Sequence, residues 1–149
     1  MLQLTENLLK KEPEELAKLF IKEGSITSTQ IRRYYDDLLI LQTKARMQDN
    51  ESFKGKILPL IRMTEAKIAY SVGRKVLNKT FYDKMSVYLN RIESKEDLEN
   101  FILFYQAIIA YVKYEEVMKK EDNYTNSNNK NNYRNYDSNK RDNWGGYRK

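Results

Sequence analysis

The sequence predicts an all-α protein, a compact bundle of about five helices followed by a disordered C-terminal tail. Three observations predict it. Glycine (5) and proline (2) are too scarce in 149 residues to punctuate a many-turned β protein. Apolar residues recur at helical spacing as far as Val112. Helix-start signals stand in front of several of these periodic stretches.

The elements follow in order. Pro13 suits the first position of a helix from Glu14 to about Glu23, and Gly24 suits its stop. Leu16, Leu19 and Phe20 form its apolar face. Thr27-Ser28-Thr29-Gln30 reads as a capping box, in which the Thr27 hydroxyl accepts from the Gln30 amide and the Gln30 side chain reaches back. It opens a second helix to about Met47, with Ile31, Tyr35, Leu38, Leu41 and Ala45 on one side. Asp49-Asn50-Glu51-Ser52 breaks the pattern. A third helix starts near Pro59 and runs to about Val76, with Ile57, Ile61, Ile68 and Val72 aligned and Thr64 between them. A fourth covers Phe81 to Ile92. Ser94-Lys95-Glu96-Asp97 resembles a further capping arrangement, with Asp a weaker partner than Glu at the third position. The fifth helix runs on to about Lys120 and is apolar nearly all round from Phe101 to Val112. Such a helix is either central in its bundle or carries a second, intermolecular face.

Residues 1–120 therefore form the helical domain and 121–149 a low-complexity tail, with nine Asn and four Tyr and no periodicity. Arg134, Lys140, Arg141, Trp144, Tyr147 and Arg148 give the tail groups that could stack on bases and pair with phosphates; the plainer reading is a passive tail.

Composition excludes several classes. There is no cysteine, hence no disulfide or thiolate zinc site. There is no histidine, which removes the usual acid–base group near neutral pH and the commonest metal ligand. No metal and no cofactor is expected. Met1–Glu6 lacks a basic region followed by an apolar run, so no secretion signal is read there. The apolar window ending at Val112 is closed by Glu99 and Lys113 and is shorter than the roughly 20 residues of a membrane span. The expectation is a cytoplasmic protein without a membrane partner.

Net charge is +6, and its distribution says more than its size. Residues 1–53 carry 8 basic and 9 acidic side chains, and residues 85–120 carry 5 and 6. Residues 54–84 carry 8 basic groups (Lys54, Lys56, Arg62, Lys67, Arg74, Lys75, Lys79, Lys84) against Glu65 and Asp83. A cluster of this kind suits phosphate, although a solvated helix face has the same composition. With Ile57 at zero on a helical wheel, Ile61, Ile68 and Val72 fall between roughly +20° and +60°. Lys67, Tyr70 and Arg74 fall together between roughly −80° and −140°, away from the core stripe. Two cations flanking an exposed tyrosine can track a phosphate backbone, the phenol adding a hydrogen bond or a stack. Arg62 lies on another side. Gly73 costs the helix roughly 1 kcal/mol relative to alanine, and reads as helix packing or a bend ahead of close approach by a ligand.

At these residues the chain resembles the small subunit of type III-A CRISPR–Cas effector (Csm) complexes. Lys67-Ile68-Ala69-Tyr70-Ser71-Val72-Gly73-Arg74 is similar to that family's K-x-A-Y-x-x-G-R segment. Ile26-Thr27-Ser28-Thr29-Gln30-Ile31-Arg32 is similar to its T-x-S-Q-I-R helix start, with Thr29 where serine is common. Phe101–Tyr114 is similar to its last helix. The matches come in the family's order and cover most of residues 25–115. The resemblance implies an all-helical, non-enzymatic subunit present in several copies. Its implied partners are crRNA and target RNA, the backbone and large subunits of the effector complex, and other copies of itself. It makes Lys67, Tyr70 and Arg74 the positions best placed for RNA. Lys54, Lys56, Lys75 and Lys79 are neighbours supported by charge alone. Arg32 and Arg33, in the helix-start match, face RNA or another subunit.

Other readings compete. Thr27–Arg33 could pass for the start of a helix-turn-helix recognition helix, but the excess charge lies elsewhere. A helical adaptor that binds only protein would explain the apolar last helix. Catalysis has little support. The adjacent acids Glu14-Glu15, Asp36-Asp37 and Glu115-Glu116 diverge by about 100° on a helix, and no Gly-rich phosphate cradle is present.

Overall fold

The structure, a computed structural model, describes the backbone of residues 1–141 and the side chains of residues 1–127. Its elements are α1 (Glu6–Leu9), α2 (Lys11–Glu23), α3 (Ser28–Arg46), α4 (Asn50–Ser52), a π-helical turn (Phe53–Ile57), α5 (Leu58–Gly73), α6 (Lys79–Leu89) and α7 (Lys95–Arg141). No strand occurs among the described residues. The chain divides into two units, Met1–Glu116 and Val117–Lys149.

In the first unit the apolar part of α7 is the centre of the core. Phe101, Ile102, Phe104, Tyr105, Ile108 and Val112 are all buried. Tyr105 stacks on Tyr35 of α3 (centroids 6.3 Å apart) and meets Phe81 of α6 edge-on at 6.4 Å. Phe104 packs on Tyr88 of α6 at 4.3 Å, and Phe81 meets Phe20 of α2 at 5.1 Å. Each such buried side chain contributes about 1.5–3 kcal/mol of transfer free energy. The Tyr105 hydroxyl, taken out of water, donates to the Ile31 carbonyl at 2.8 Å. Its burial raises its pKa well above the ordinary value. Of the two sequence alternatives for this helix, a central position accounts for most of its surface; Leu103, Gln106 and Ala110 form the exposed strip.

The capping signals act as read. Thr27 and Gln30 form the reciprocal capping box of α3. A long-range partner joins them: Glu116 accepts from the Ser28 amide (2.8 Å) and hydroxyl (2.9 Å). Gly24 ends α2 with φ +78°, a conformation that suits glycine. The α6 cap is Asn78, whose side-chain oxygen accepts from the Phe81 amide while its nitrogen donates to the Phe20 and Gly24 carbonyls.

Other boundaries differ from expectation, each for a local reason. α2 starts at Lys11, so Pro13 is inside its first turn, where no helical amide is missed. Asp49 breaks α3 by capping a new helix, accepting from the Ser52 amide at 2.7 Å. Helical backbone then runs without interruption into α5. Pro59 cannot donate to a carbonyl four residues back, and the preceding residues adopt the wider π turn, in which the Leu58 amide reaches Phe53. On α3 it is Tyr34 that is buried and Tyr35 that is half-buried, because the Tyr34 phenol shares a 2.6 Å hydrogen bond with Ser71 of α5. α7 continues past Lys120, and no Gly or Pro occurs between Lys95 and Arg141 to stop it. In the second unit, Thr125 and Ser127 donate to the carbonyls four residues back. The roles read for Arg134, Lys140, Arg141, Trp144, Tyr147 and Arg148 fall outside the described side chains, as does most of the expected disordered tail.

The N-terminal residues, left outside any helix by the sequence pattern, join the core through Leu2 and Leu8. Asp97 holds them there. Its carboxylate closes the α7 cap by accepting from the Glu93 (3.0 Å) and Ser94 (3.2 Å) amides, and its second oxygen accepts from the Leu2 amide at 2.6 Å. Asn100 completes the clamp by donating to the Leu2 carbonyl. Burial alone would raise the Asp97 pKa. The hydrogen bonds from Leu2, Glu93 and Ser94 outweigh it, and the net shift is below the ordinary 3.8. The contribution is complete above that value and is lost as pH falls through the lower folded-state value. Asp97→Asn should therefore cost about 1–3 kcal/mol at neutral pH. In urea melts at decreasing pH, its deficit against the unmodified chain should shrink below about pH 4.

Candidate nucleic-acid interface

The residues on the polar side of α5 are spaced so that Met63, Lys67, Tyr70 and Arg74 form one stripe along the helix. Facing it, α3 presents Arg33, Asp37, Ile40 and Lys44 at the same helical spacing. The inward positions Ile31, Leu38, Ile61 and Ile68 are buried and set the rotation of both helices. The Tyr34–Ser71 hydrogen bond ties the two helices together beneath the stripes.

Between the stripes lies a groove of about 500 Å³ whose walls include Arg33, Asp37, Lys67, Tyr70 and Arg74. A smaller hollow of about 230 Å³ continues towards Ile40, Leu60 and Lys44, sharing Asp37, Met63 and Lys67 with the first. Tyr70 is 66% exposed, and the Arg74 guanidinium stands over its ring at 5.6 Å from the centroid. Lys67 donates to Asp37 across the groove at 2.7 Å. Both partners of that bridge keep solvent contact, so the pair is weakly held. The end near Arg74 is cationic and aromatic. The far end is more apolar, with Ile40, Leu60 and Met63 exposed.

Residues 3–118 match the family described as Csm2 Type III-A. The chain belongs to the type III-A Csm2 family. It is thereby a small subunit of the type III-A CRISPR effector complex and a component alongside its other subunits. No curated protein and no solved structure matches the chain.

In this Csm2 chain the sequence-predicted positions separate. Lys67, Tyr70, Arg74 and Arg33 come together at the groove. Arg32, about 100° round α3 from Arg33, is exposed and does not line it. Lys54 and Lys56 are exposed on the π turn, away from the groove walls. Lys79 is engaged by Asp83 one turn on, at 2.7 Å. Lys75 follows the end of α5 in a left-handed conformation, φ +60°. The Val76 amide bonds the Ser71 carbonyl and the Lys75 amide the Val72 carbonyl, the Schellman closure in which glycine usually takes the place of Lys75.

Arg62 belongs to the fold. Its guanidinium donates to the carbonyls of Leu89, Asn90 and Ile92, which satisfies the C-terminal end of α6. A β-carbon added at Gly73 would meet nothing within 4 Å, so close packing does not account for that glycine. Sequence reasoning missed Asp37 and Lys44 as groove residues. Their spacing from Arg33 was visible, but their apposition to α5 was not. Among the described residues no group of three or more Asp and Glu side chains is placed to hold a metal ion. No helix among them is long and apolar enough to cross a membrane.

Two stability measurements separate structural cations from free ones. Arg62→Ala should cost about 1–3 kcal/mol in denaturant unfolding, because three carbonyls lose a charged donor. Lys75→Gly should raise stability by up to about 1 kcal/mol in the same assay, by relieving the left-handed lysine.

Proposed function

We propose that this chain is a non-catalytic RNA-binding subunit that grips crRNA and target RNA by their backbones, without reading sequence, and bridges neighbouring subunits of the effector complex. The observation that carries the reading is the convergence of Arg33, Lys67 and Arg74 around the exposed ring of Tyr70. Cations spaced along a groove suit successive phosphates, and a tyrosine offers a hydrogen bond or a stack that any base accepts. Lys54, Lys56 and Lys75 would add long-range attraction from outside the groove. Guide–target base pairing would supply the specificity, as expected of RNA-guided recognition. One copy would bind weakly, and several copies held along one RNA would gain by avidity without new contacts. The exposed Ile40, Leu60 and Met63 support a subunit contact at the groove's apolar end.

A helix-turn-helix reading fares worse. The start of α3 would have to approach phosphate, and there the Glu116 carboxylate already occupies the Ser28 amide. The adaptor reading keeps one observation in its favour, the same apolar end of the groove. Full antiviral activity of the complex with Lys67, Tyr70 and Arg74 all changed to alanine would make it the better account.

Lys67→Ala combined with Arg74→Ala should weaken RNA retention at least about tenfold at moderate salt in filter binding. It should also reduce the slope of log affinity against log salt by about 1–2. Both side chains are exposed, so the helical circular dichroism and melting should be unchanged. An unaltered salt slope would count against the assignment.

A further inference from the structure

Asp37 is the only acid among the residues lining either hollow of the α3–α5 groove. It sits in the middle of the groove, where the two hollows meet, and its Oδ2 holds the Lys67 ammonium at 2.7 Å. Around it stand Arg33 and Arg74 on one side and Lys44 on the other. A carboxylate oxygen on a lysine offers the same charge and acceptor geometry as a phosphate oxygen. Both members of this pair are about half exposed, 53% for Lys67 and 41% for Asp37. Exposed pairs of this kind contribute only about 0.2–1 kcal/mol, so a phosphate with further cations beside it can displace the carboxylate.

We propose that Asp37 is a built-in competitor for the phosphate site: its carboxylate occupies Lys67 in the free protein, and an RNA phosphate must replace it. The inference rests on the RNA-binding reading above and adds a residue that opposes binding at the same site. Its consequence is a threshold. An isolated copy has its central cation engaged and holds stray RNA poorly. A copy presented with RNA already fixed in an assembly meets a high local phosphate concentration and opens the bridge. The Asp37–Lys67 pair also lies between the two hollows, so its opening would let one strand run from Arg74 towards Lys44.

The test uses the full 149-residue chain and a fluorescein-labelled single-stranded RNA, with affinity read by anisotropy across a salt series. Asp37→Asn and, independently, Asp37→Ala should each tighten binding about two- to fivefold. In the Lys67→Ala background the same substitutions should change affinity little, because the competitor has nothing left to occupy. Equal tightening in both backgrounds would mean simple loss of a negative charge and would overturn the proposal. Unchanged or weaker binding by both Asp37 variants would overturn it too, while Lys67→Ala with Arg74→Ala still weakening binding would leave the RNA reading standing. No RNA binding by any of the proteins, even at low salt, would overturn the RNA reading and this inference together.

Discussion

The Tyr105 side chain is the constraint around which the helical bundle is arranged. It is fully buried, and its ring contacts Tyr35, Phe81 and Phe101 on three sides. A phenol in that position must have its hydroxyl satisfied, and the Ile31 carbonyl on α3 is the partner. That bond adds a directional tie between α3 and α7 to the apolar burial that sets the rotation of α3. The rotation then sends Ile31, Leu38 and Leu41 inwards and leaves Arg33, Asp37 and Lys44 on the flank that faces α5. The groove is thus a consequence of how the core is filled.

The basic segment 54–84 has two physically different populations of cations. Arg62 gives its donors to the end of α6, and Lys79 is held within its own helix turn by Asp83. Lys54, Lys56, Arg74 and Lys75 remain exposed. Lys67 is intermediate: engaged, but by a weak and solvated pair. A charge count by itself treats all of these alike. What distinguishes them is whether each side chain meets a fixed acceptor, which is a tertiary property.

The same separation joins stability to function. The family membership makes the chain one small subunit of a larger effector complex. A subunit of that kind needs a stable body and a surface that engages its neighbours. The stable body comes from buried aromatic contacts and from caps that are reinforced at long range, as Glu116 does for α3 and Asp97 for α7. The surface proposed for that role lies on two helical stripes whose polar groups play no part in those caps.

Much of this was legible in the residues alone. The capping boxes at Thr27 and Ser94, the stop at Gly24, the inward stripe of α5 and the outward one of Lys67, Tyr70 and Arg74 are short-range features. They depend on hydrogen bonds three residues apart and on a repeat of 3.6 residues, both of which the linear order displays. The π turn before Pro59 and the left-handed Lys75 are also local, but they express competition between neighbouring hydrogen-bond patterns that residue preference does not rank. The apposition of Arg33 and Asp37 to Lys67 needed the fold. So did the choice of Tyr34 over Tyr35 for burial, the commitment of Arg62 to the end of α6 and the capture of Leu2 by Asp97. These partners lie between 27 and 95 residues apart in the chain. Periodicity tells which side of a helix is apolar, whereas only the packing of that side decides which polar stripe of which other helix it will face.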